Sequence, residues 1–174
     1  MKKNNFVDKS ENSFYFFDAF YTHYSFFAIF VNDNKTRFFT SLLDGLRFTT
    51  IINFSQNGLG IESCGIYSYV IDLVNRGNLS IDCVNLMFSE KVQAPLTNLV
   101  IRNKKDQKID DVSKIFIFPA DGSLISVLLK VPISIDDNSL KYLTLPVVPN
   151  IELPLLVDLV KRSIMLVEEK ENKK

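Results

Sequence analysis

The first long apolar run, "FYFFDAFY" and then "SFFAIFV" between residues 14 and 31, is aromatic and β-branched. That composition predicts one or two strands. "NDN" at 32 to 34 predicts a turn, and Asn32, Asp33 or Asn34 is placed to cap a helix that follows. Over residues 36 to 47, Phe39, Leu42, Leu43 and Leu46 fall at i, i+3, i+4 and i+7, which makes one apolar stripe. Arg37, Thr40, Ser41, Asp44 and Arg47 lie on the other side of that helix, and Gly45 weakens it modestly. The period then changes to two: Ile52 and Phe54 alternate with polar neighbours up to "SQNG", and Leu59 and Ile61 resume beyond it. Asn57-Gly58 signals a hairpin because both residues accept positive φ. "IYSYVIDLV" supplies a third strand, so the predicted unit is strand, helix, antiparallel meander.

Downstream, "NLSIDCVNLMF" reads as a strand, or a strand running into a short helix. A second helix is predicted around "SEKVQAPLTNLVIRNKK", with Pro95 restricting its start. "KDQKIDDVS" reads as a charged, solvated loop. "KIFIF", "LISVLLKVPISI" and "LKYLTLPVV" follow as antiparallel strands, joined by turns at "PADGS" and "DDNS". Pro154 stands where a last helix would begin, with Leu156, Leu159, Val160 and Val167 along one stripe. The expected division is a loose tail at 1–12, one α+β domain at 13–150, and a C-terminal helix with a charged tail at 151–174.

Composition narrows the function classes. At 174 residues and 47% hydrophobic content, with 15 Phe, the chain buries a core and is not a disordered sequence. Lys plus Arg and Asp plus Glu are 20 each, so a nucleic-acid role needs a local basic patch. Cys64 and Cys83 lack CxxC spacing and read as reduced, buried thiols of an intracellular protein. The polar start "MKKNNFVDKSENS" has no signal-peptide core, and the polar breaks in the aromatic run argue against a membrane span.

Two stretches carry a family likeness. "FFAIFVNDNKTRFFTSLLDGLRFTTIINFSQNGLGIESCGIYSYVIDL" resembles one domain of a DNA sliding clamp, the family of proliferating-cell nuclear antigen and the DNA-damage checkpoint clamp subunits. "KIFIFPADGSLISVLLKVPISIDDNSLKYLTLPVVPNIE" is similar to that family's closing strands. The match departs from the family at "SCGIYSYV", where an acidic serine motif is common, and the chain has length for one such domain rather than two. The resemblance implies a sliding-clamp-like (processivity-fold) α+β domain: antiparallel sheets with one or two helices on one face, plus the C-terminal helix. It implies a non-catalytic replication or repair protein of the nucleus or a viral replication site. Such a protein tethers other factors to duplex DNA as part of a homo- or hetero-oligomeric ring, and client peptides are possible partners. DNA-backbone contacts then fall to Lys35, Arg37, Arg47, Lys91, Arg102, Lys104 and Lys105, with no cofactor and no metal.

Catalysis finds little footing. The one histidine, His23, sits in the aromatic segment, and no Cys/His/Asp cluster has metal-ligand spacing. Asp110-Asp111 and Asp136-Asp137 are adjacent pairs that suit turns better than paired catalytic acids. The alternative to the clamp is a structural or assembly module without a nucleic-acid role, joined to its partners through "FYFFDAFYTHY" or the terminal helix.

Overall fold

A computed structural model describes residues 12–56, 72, 76–77, 79–103 and 113–173. In chain order its elements are β1 (Ser13–Tyr21), β2 (Phe26–Asn32), β3 (Arg37–Leu43), α1 (Gly45–Gln56), β4 (Leu79–Ser89), β5 (Ala94–Asn103), β6 (Ser113–Ile117), α2 (Pro119–Leu129), β7 (Ile133–Ile135), α3 (Asp137–Leu143), β8 (Leu145–Pro146) and α4 (Leu153–Glu171). The strands form one sheet in the order β6-β5-β4-β7-β1-β2-β3-β8. Every pairing is antiparallel except β4 with β7. The general α+β class expected from the sequence fits this arrangement.

One pattern occurs twice. Residues 13–56 and 79–129 each run hairpin, third strand, helix. Each first strand carries a bulge, between Phe16 and Asp18 in β1 and between Ile81 and Cys83 in β4. The short strand β7 joins the halves, antiparallel to β1 and parallel to β4, so the two first strands run in opposite directions. An approximate two-fold axis through the sheet follows.

The larger core lies under α1 and α2, where Phe14, Phe30, Phe39, Ile51, Val84, Leu124 and Leu128 pack together. On the opposite face α4 lays Leu156 and Val157 on Phe20, Ile29, Val31 and Phe38. Helices therefore cover both faces of one sheet, not one face of several. The aromatic segment mostly fills these cores: Phe14 and Phe20 are buried, while Tyr15, Tyr21 and Tyr24 stay exposed.

α2 is enclosed by α1 and by strands of both halves. Residues Gly122 to Leu128 are all buried. Gly122 makes the close approach to the sheet possible: a Cβ there would meet Thr97 Cγ2 at 2.6 Å and Val84 Cγ1 at 3.0 Å. Both neighbours are buried on anchored strands and have little room to yield. Gly122→Ala gains about 1 kcal/mol in helix propensity but overpacks at a cost of about 1–3 kcal/mol. We expect a net loss of stability in urea unfolding, and an unchanged or raised midpoint would contradict this packing.

Several expectations from the sequence are corrected. Residues 36–47 do not form one helix; Arg37–Leu43 is strand β3, and α1 starts at Gly45. β3 is covered on both faces near its start, Phe39 on one and Phe38 on the other, and there it loses the polar alternation that marks half-buried strands. Asn32 closes the β2–β3 turn by accepting the Thr36 and Arg37 N–H groups, and so caps no helix. Asp44 does, accepting the Arg47 N–H at 2.8 Å. Ile52 and Phe54 belong to α1 and not to a strand.

The helix expected around 90–105 is strand β5, with Pro95 near its start, ahead of Thr97 to Ile101 where β6 pairs. "PADGS" and "LISVLL" form α2, begun by Pro119 and closed by Lys130 at φ 55. Asp136 accepts the Asn138 and Ser139 N–H groups and starts α3 where a turn between strands was expected, and "LKYL" is helical. On α4, Val157 replaces Leu159 on the buried stripe, and Leu159 and Val167 are exposed. Cys83 is half-buried, not buried. The Asn57-Gly58 hairpin, most of "IYSYVIDLV", Cys64 and Asp110-Asp111 lie outside the described residues.

Candidate functional site

The basic residues singled out above do not meet on one surface. Lys35, at φ 55 in the β2–β3 turn, and Lys91, in the β4–β5 turn, are exposed. Arg37 opens β3 and donates from Nη1 to Thr144 Oγ1 at 2.6 Å. Strand directions put these three at the end of the sheet that carries α3. Arg47 and Arg102 lie towards the other end. Arg102 donates to Asp82 at 2.6 Å. Lys104 and Lys105 lie outside the described residues.

Arg47 is held between the carboxylates of Asp44 and Asp121, the latter at 2.6 Å. Arg47 and Asp121 are the third residues of α1 and α2, equivalent positions in the two halves carrying opposite charge. The Arg47 backbone N–H holds the Asp44 carboxyl below the usual carboxylate range. A carboxylate kept ionised in this way is a poor proton donor, and the cluster reads as a clasp between helices. His23 is half-exposed, 3.9 Å from Glu169, and no group of three or more potential metal ligands occurs among the described residues. Among those residues no helix is long and apolar enough to cross a membrane.

The most distinctive surface is the outer edge of β3. Its inner edge pairs with β2 from Phe38 to Leu43. On the outer edge β8 pairs only with Arg37 and Phe38. β8 stops there because the chain arrives from α3: Thr144 ends that helix, returning its N–H and hydroxyl to Leu140 O while its Oγ1 also accepts from Arg37. Past Phe38 no further strand of the sheet lies outside β3 among the described residues, and Leu42 is 61% exposed. An unpaired edge of this kind is a template for another strand.

Two cavities flank it. One, of about 210 Å³, is bounded by Phe39 to Leu42 on β3 and by Val84, Leu86, Pro95 and Thr97 across α2. The sheet thus curls until β3 faces β4 and β5 over the helix. At its floor Ser123 donates to Ser41 Oγ at 2.7 Å. Thr97, 2% exposed, lines the same cavity, and its hydroxyl has no hydrogen-bond partner among the described residues. The second cavity, about 670 Å³, lies between α3, β8 and α4, lined by Phe38, Thr40, Tyr142, Leu145, Leu156 and Leu159 among others. Among the described residues Lys141 is the one charged side chain lining either cavity.

Sequence reasoning missed this site because it placed Phe39, Leu42 and Leu43 on a helix. The strand run "RFFTSLL" was the available signal. No protein-family model matches this chain, and no curated protein matches it.

Proposed function

We propose that this chain is a non-catalytic protein–protein interaction module that receives its partner beside β3. The observation carrying this reading is the edge of β3 beyond Phe38, unpaired among the described residues and set between two mostly apolar cavities. Backbone donors and acceptors supply attachment there, and exposed Leu42, Leu145 and Leu159 supply apolar area to cover. Catalytic chemistry has weaker support. Among the described residues Ser41, Ser123 and Thr97 in the small cavity stand beside no base, and the acidic pair at the α1–α2 crossing is bridged by Arg47.

The test is a photo-crosslinking amino acid placed at Leu42 in the full chain, in the cells that make it, against the same group at Val92, exposed in the β4–β5 turn. Adducts of defined mass from position 42, absent from position 92 and lost when Leu159→Asp is added to a still-folded protein, are expected. Equal labelling from both positions would sink the proposal.

A second reading, a clamp-like domain that tethers factors on duplex DNA within a ring, is supported by the resemblance and by Lys35, Arg37 and Lys91 sharing one end of the sheet. Lys35→Glu with Lys91→Glu changes exposed side chains only. On this reading the pair removes a salt-sensitive retention on DNA without moving the unfolding midpoint. No retention by the wild-type chain at low salt counts against it.

A further inference from the structure

We infer that the partner is an extended peptide segment that adds as an antiparallel strand to the outer edge of β3 over Phe39–Leu43, with alternate apolar side chains and an acidic C-terminal end. This rests on the interaction-module reading and names the occupant. Along β3 the side chains alternate in direction. Phe39 and Leu43 belong to the core under α1 and α2, and Phe38 belongs to the core under α4. A strand paired beside them alternates in the same way. Its successive residues therefore point into the small cavity over Ser41 and Thr97 on one face, and into the larger one over Phe38 and Leu156 on the other. The unpartnered Thr97 hydroxyl favours a small polar or mixed side chain, such as threonine, at one of the positions entering the small cavity.

The chain's own β8 sets the direction. It already lies on this edge antiparallel to β3, with Leu145 opposite Phe38 and Pro146 opposite Arg37. A strand continuing its line ends, at its C-terminus, against the α3–β8 junction where Lys141 stands with its ammonium 4.6 Å from the Tyr142 ring. Among the described residues neither cavity is lined by a carboxylate, so the lysine selects for negative charge at that end of the occupant. A second copy pairing through its own β3 fits less well, because the acidic residue at the end of that strand, Asp44, is already bound to Arg47 through its backbone N–H and its guanidinium.

The probe is a synthetic pool of octapeptides with valine, isoleucine or threonine at alternate positions, serine between, and a free C-terminal aspartate. The pool is titrated against the full chain, and retained members are resynthesised. Backbone N-methylation of the alternate amides that face β3 is expected to abolish binding, while methylation of the intervening amides leaves it intact. Lys141→Glu is expected to weaken the acidic peptide about tenfold and its C-terminally amidated asparagine counterpart much less. Binding that ignores which amides are methylated overturns strand addition but leaves the module reading in place, as does retention of no member alongside a specific crosslink from position 42. A concentration-dependent dimer lost in Leu42→Arg assigns the edge to a second copy and overturns the peptide. Failure of both the pool and the crosslink removes the module reading itself.

Discussion

Phe30→Ala is expected to lower unfolding free energy by about 3–5 kcal/mol, the range for deleting a buried aromatic ring. Phe30 is fully buried on β2, which is bonded on both sides by β1 and β3. Its ring stacks on Phe39 at 5.0 Å and meets Phe16 edge-on at 6.0 Å. Phe39 in turn meets Phe14 at 5.4 Å, so the ring cluster ties all three strands of the first half. Strands hydrogen-bonded on both flanks cannot close around the void, and the cavity contribution persists on top of the lost transfer energy. Phe30→Leu keeps most of the volume and costs less. Urea titration with an unchanged slope reads both, and a loss near that of a surface substitution, about 0.5 kcal/mol, would show the cluster to be loose.

Asp121→Ala is the second large effect, about 2–3 kcal/mol, between the values for an exposed pair and a buried one. Side-chain exposure of Arg47 and Asp121 is 22% and 21%, and the substitution leaves the guanidinium partly desolvated with Asp44 as its remaining carboxylate of the two. Arg47→Met combined with Asp121→Leu should recover much of the loss, because an apolar pair no longer strands a charge. A double-mutant cycle with no coupling between the two positions would remove this clasp from the account.

Acid acts on the same place. The folded-state pKa of Asp44 is depressed, first by the Arg47 backbone N–H, so its contribution is present above the ordinary carboxylate value and is lost as pH falls through the lower folded one. Its side chain is 52% exposed, which keeps that contribution small.

β1, β2, β4, β6 and α4 were legible as local patterns, because each has an aromatic or β-branched run or a proline-started amphipathic stripe. α2 was not, since a helix enclosed by α1 and the curled sheet has no polar side from which to read a period. β3 failed for a related reason: Phe38 and Phe39 are both buried, on opposite faces, and the spacing of Phe39, Leu42, Leu43 and Leu46 satisfied a helix by coincidence. Asp44 was read as part of a helix's polar side and Asp136 as part of a turn between strands, and only the fold shows that both start helices. The candidate site was illegible for a deeper reason. Which edge of a strand goes unpaired among the described residues is set by where other strands pack, and no local run of residues records it.

The position of β7 in the chain also bears on synthesis. Its three residues seam the two repeated halves together, yet roughly a hundred residues separate it from β1, or roughly 5–20 s of translation at about 5–20 residues per second. Until Ile133–Ile135 leaves the ribosome, the β1 flank of one nascent meander and the β4 flank of the other lack the strand that joins them in the finished sheet. A chaperone at the tunnel exit therefore meets this protein as two half-sheets awaiting a late keystone.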